Sequence, residues 1–116
     1  MGMFRDTSDA EIDIVKEMAE GLGSTGLRLD DLLDKVAEAR GRARDLVMRY
    51  ANGSSQNGRP DVAAVNESIR EYNALIEKAE DALRWLLIQR EACGFRTHRN
   101  VHTHYPIPSK IRLLDA

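Results

Sequence analysis

The sequence predicts an all-α protein: an antiparallel, coiled-coil-like helical hairpin with a short N-terminal third helix and an extended C-terminal tail. Three observations carry this. Two long stretches repeat apolar residues at alternating steps of three and four, which is the helical rhythm. A loop-forming run, "NGSSQNGRP" at 52–60, joins them. Apolar residues make up 42% of the chain but aromatics only 5%, which favours an aliphatic helical core over a sheet.

The predicted order is a helical bundle over 1–94, with helices at about 8–22, 29–51 and 61–93, followed by a tail over 95–116. The first helix is expected to start at Ser8, because "SDAE" has the capping-box pattern, with Ser8 and Glu11 satisfying each other's backbone N–H groups. Its apolar stripe is Ile12, Val15, Ala19 and Leu22, widened by Ile14 and Met18. "GLGSTG" is read as a break, since glycine weakens a helix interior. The second helix carries the seam Leu29, Leu32, Val36, Ala39, Ala43, Leu46 and Tyr50. Its acidic residues Asp30, Asp31 and Asp34 come early and its arginines late, as the helix dipole prefers. The third helix begins near Pro60–Asp61 and has the seam Val62, Val65, Ile69, Tyr72, Ile76, Ala79, Leu83 and Leu86; Gly94 is its expected stop.

Its last turns, "ALRWLLI", are apolar on more than one face, because Trp85 and Ile88 fall off the seam. Such an end needs more than one neighbour. The expectation is that the first helix packs there as the third member of a bundle, with the end around Tyr50, Val62 and Val65 left as a two-helix prong. A two-fold dimer using the same faces is the competing arrangement.

Composition bounds the function. No apolar run approaches the roughly 20 residues a membrane helix needs, so no membrane partner is expected. The first residues lack the layout of a secretory signal, and Gly2 is followed by Asp6 where a myristoylation pattern wants Ser or Thr. With Cys93 as its single cysteine the chain cannot form an internal disulfide, which fits a cytoplasmic protein. Charge is unevenly spread. Residues 6–22 hold Asp6, Asp9, Glu11, Asp13, Glu17 and Glu20 against Lys16, a net −5, whereas residues 94–116 hold Arg96, Arg99, Lys110 and Arg112 against Asp115, a net +3. Head and tail can attract each other within a chain or between copies.

The tail "FRTHRNVHTHYPIPSKIR", at 95–112, concentrates the candidate chemistry. As a docking strap, its alternate prolines favour an extended path, and Tyr105, Ile107, Ile111 and Leu113 seek burial, over Trp85 and Ile88 or on another chain. The partner-binding candidates are Trp85, Phe95, Arg96, Arg99, Tyr105, Pro106 and Ile107. As a nucleic-acid arm, Arg96, Arg99, Lys110 and Arg112 join Arg40, Arg42 and Arg44 of "RGRAR", although a pI near 5.9 and the lack of a known motif count against it. As a metal site, Cys93, His98, His102 and His104 have the spacing C-x4-H-x3-H-x-H, with no second cysteine to complete a zinc half-site. No cofactor is implied. Catalysis has the least support: no nucleophile elbow, zinc-protease or P-loop motif occurs, and Arg90, at a seam position, is near enough to the helix end to reach solvent.

The ending "ACGFRTHRN…HYPIPSKIR" after a helical hairpin resembles small uncharacterised proteins of actinobacteria and their phages. The shared form is an aromatic-Arg-x-His step followed by Tyr-Pro-Ile-Pro. The resemblance implies a small phage or bacterial accessory protein and carries no activity with it. The expected function is therefore a non-enzymatic protein-interaction or assembly module whose partner is another protein or a second copy.

Overall fold

The computed structural model describes the backbone of residues 2–53 and 58–115, and side chains within residues 21–53 and 58–115. Two long helices dominate it: α1, Gly2–Asn52, and α2, Val62–Ala92. A short α3, Arg99–His104, precedes an extended strap over 106–115. The molecule is a rod of 80 × 21 × 20 Å, close to the roughly 76 Å that a 51-residue helix spans.

The hairpin and both seams are as the spacing predicts. Leu29, Val36, Ala39, Ala43, Val65, Ile69, Tyr72, Ile76 and Ala79 are at most 2% exposed. Leu46, Tyr50, Val62 and Leu83, further along the same seams, are half-buried. α2 starts where expected: the Asp61 carboxylate accepts the Ala64 N–H at 2.7 Å. It also stops where expected. Gly94 takes φ +94°, Phe95 N–H donates to Arg90 C=O and Gly94 N–H to Glu91 C=O, both at 3.0 Å, which closes the last turn and reverses the chain. At the loop, Arg59 lies over the Tyr50 ring at 4.0 Å and donates to the Tyr50 carbonyl.

The expected break at "GLGSTG" is absent. The helices expected at 8–22 and 29–51 are one helix, and Ser8 lies inside it rather than at its start. The side chains of the capping box and of the stripe at Ile12, Val15 and Ala19 fall outside the described residues. Tertiary contacts hold the glycine-rich stretch helical. Thr25 Oγ1 donates to Gln89 Oε1 at 2.6 Å, and Leu22 packs on the core cluster. Gly26 is buried, and a Cβ there would stand 3.0 Å from the Tyr105 hydroxyl, so this glycine admits a close neighbour instead of breaking the helix.

A third bundle helix from the N-terminus is therefore not formed. The short extra helix is α3, in the tail, where Val101 joins the core and Tyr105 and Ile107 pack against it. The tail is not extended throughout. Nor is the far end a bare prong, because Ile111 and Leu114 of the strap pack on Ala43, Val65 and Ile69.

Candidate functional site

The strap lies in the groove on one flank of the hairpin, and side chains of α2 hold it by its backbone. Asn73 Nδ2 donates to the Ile111 carbonyl and Asn73 Oδ1 accepts the Ile111 N–H, both at 2.9 Å. Asn66 does the same for Leu114, at 3.0 and 2.7 Å. The Tyr72 hydroxyl donates to the Ser109 carbonyl at 2.7 Å. Each asparagine thus replaces one rung of a β-ladder, using its own amide as the second strand.

The spacing follows from two rises. Asn66 and Asn73 are one heptad apart, about 10.5 Å at 1.5 Å per helical residue. Ile111 and Leu114 are three residues apart, about 10 Å in an extended chain. Leu114 sits at Asn66 and Ile111 at Asn73, so the strap runs antiparallel to α2. The prolines keep the chain extended, and they donate no N–H, so they need no partner in the groove.

Charge and burial reinforce the clamp. Lys110 Nζ meets Glu77 Oε1 at 2.7 Å; the contact raises the Lys110 pKa and lowers that of Glu77. Burial raises the Tyr72 phenol, with Arg40 and Arg44 pulling the other way. Burial also raises Tyr105, and Asp30 adds to it. Beside the strap lies a cleft of about 550 Å³, with Leu33, Val36, Ala37 and Gly41 of α1 facing Pro106, Ile107 and Pro108, and Arg40 and Arg44 at its edge.

The predicted partner-binding residues separate into two groups. Tyr105 and Ile107 pack on the chain's own core, with exposed Pro106 between them. The strap does not cover Trp85 and Ile88, which are 55% and 50% exposed. Trp85 lies on the opposite flank, in a cleft with Ser24, Thr25, Arg28, Lys78, Asp81 and Ala82. Phe95 is 47% exposed under the Arg90 guanidinium, 4.4 Å from the ring centroid, and Arg96 and Arg99 are exposed at the same elbow. Arg90 is half-buried and reaches out of the helix end to Phe95, the Thr97 carbonyl and His98.

The metal candidates do not converge. His98 Nδ1 accepts from Arg90 Nε at 3.4 Å and Nε2 faces Glu91 at 3.3 Å, which places the proton of a neutral ring on Nε2. His102 and His104 are exposed, with the His104 ring edge-on to Tyr105, and Cys93 is a half-buried free thiol. Among the described residues no group of three or more metal-binding side chains is gathered.

The basic residues also divide. Arg40, Arg42 and Arg44 sit midway along α1, and Lys110 and Arg112 flank Ile111, which packs on Ala43 in the same region. Arg96 and Arg99 stay at the elbow, roughly 25–30 Å away along α1. Asp45, beside Arg44 in sequence, pairs with Arg49.

Sequence reading missed Asn66 and Asn73 and treated Tyr72 only as a seam residue. A signal was present: two asparagines, poor helix formers, stand inside α2 one heptad apart, each directly after a seam residue. Among the described residues no helix is long and apolar enough to cross a membrane. Compared with known proteins, the chain matches no family model, no curated protein and no solved structure.

Proposed function

We propose that this is a non-enzymatic protein-interaction or assembly module, a cytoplasmic accessory protein of bacterial or phage type, that presents a braced helical surface to a protein partner or to another copy. The supporting observation is the patch around Trp85. The chain satisfies its own strap groove, yet its only tryptophan stays half exposed, with Ile88 and Phe95 likewise open. Half-exposed aromatics next to arginine are typical anchors of protein interfaces. Nothing in the strap clamp requires them.

The test is Trp85→Ala in the full chain, compared with the parent by circular dichroism, thermal melting and affinity capture with crosslinking. The expected result is an unchanged fold and loss of the captured protein. A variant that keeps every partner sinks the proposal. Retention on nucleic acid that falls with salt, and with removal of Arg96 and Arg99, replaces it with the nucleic-acid reading.

A further inference from the structure

We propose that the cleft between α1 and the Pro106–Pro108 stretch seats the acidic N-terminal arm of α1 from a second copy, giving an antiparallel dimer. This deepens the assembly reading above and rests on it. The cleft has an apolar floor, Leu33, Val36, Ala37 and Ile107, with Arg40 and Arg44 one helical turn apart at its edge. Neither arginine enters an ion pair among the described residues. Gly41 lies on the same side of α1, and a Cβ there would meet nothing within 4 Å. No contact among the described residues asks for that glycine, whereas close approach of another helix would.

The occupant is indicated by charge and by length. Gln89, one turn before the end of α2, lies beside Gly21 and Thr25. α1 therefore continues past the end of α2 for most of residues 2–20, about 23 Å of helix. That arm carries Ile12, Val15 and Ala19 at helical spacing and a net charge of −5 over residues 6–22. It is an amphipathic acidic helix, matched in kind to an apolar cleft edged by two cations. The arm cannot reach the cleft of its own chain, because Val15 and Arg40 stand about 38 Å apart along one continuous helix. A second copy reaches it by laying its α1 antiparallel, and the same contact then repeats about the two-fold axis.

Sedimentation equilibrium of the full chain should show a dimer that weakens with salt. Gly41→Leu projects into the cleft from a Cβ position that meets nothing within 4 Å, so it should keep or raise the melting temperature of the protomer and weaken the dimer about tenfold or more. Arg40→Glu with Arg44→Glu should weaken it similarly, as should Asp9→Lys with Asp13→Lys; mixing the two double variants should restore dimers as heterodimers. A monomer at all concentrations, or a dimer indifferent to Gly41→Leu and to the charge reversals, overturns the inference. If the chain is monomeric and still captures a protein through Trp85, only this inference falls and the interaction reading stands.

Discussion

The two flanks of the hairpin share one apolar seam but differ in what surrounds it. On the strap flank, Asn66, Tyr72, Asn73 and Glu77 offer hydrogen-bonding groups at the spacing of an extended chain, and the chain's own tail occupies them. On the other flank, the clefts are edged by Arg42, Glu67 and Glu71 and by Arg28, Lys78 and Asp81, and they remain open. Burial of apolar surface has no direction, so the seam alone cannot choose a flank. Backbone amides of a docked segment need partners at fixed places, and α2 supplies them on one side only.

The largest test of that contrast is Asn66→Ala with Asn73→Ala. It leaves the N–H and C=O of both Ile111 and Leu114 without partners, and should cost about 2–4 kcal/mol in urea denaturation. Amide exchange at those two positions should speed up before the core opens. If stability and exchange stay unchanged, apolar contact alone places the strap. Tyr72→Phe is next: it keeps the ring in the core and removes one bond to Ser109, for an expected loss of about 1 kcal/mol. On the open flank Trp85→Ala should change stability by less than about 1 kcal/mol, because half the ring is already in water. A loss larger than that of Tyr72→Phe would mean that the open flank also braces the fold.

The smallest effect is that of pH. Tyr72 and Tyr105 are raised above their ordinary 10.0 and Lys110 above its ordinary 10.5. Their contributions are complete below those values and are lost as pH rises through the folded ones. Glu77 is lowered from 4.5, so its share is present above that value and is lost as pH falls through the folded one. Strap stability should therefore be level between about pH 5 and 9 and decline on both sides, with three groups acting on the alkaline side against one on the acid side. Glu77→Gln should remove the acid limb while leaving most of the alkaline one, as read by amide exchange at Ile111.

Much of the fold was legible in the residues. Leu32, Val36, Ile69 and Ile76 announce the seam by spacing alone, and Asp61 and Gly94 mark the ends of α2 through local backbone chemistry. Gly21, Gly23 and Gly26 misled for the same local reason. Their cost to a helix is real, but the Thr25–Gln89 bond and the fit of Tyr105 against Gly26 offset it, and neither lies near in sequence. The strap was legible as extended and in need of burial. Its place was not, because the residues that fix it lie 37, 38 and 48 positions earlier in the chain.

The sequence by itself determined that two amphipathic rods pair, where α2 begins and ends, and that the tail is extended around its prolines, since each follows from periodicity and capping within a few residues. Only the tertiary structure decided that α1 runs unbroken through its glycines, which flank the strap takes, and that Trp85 stays open. Those outcomes turn on contacts between distant parts of the chain, whose energies no local pattern contains.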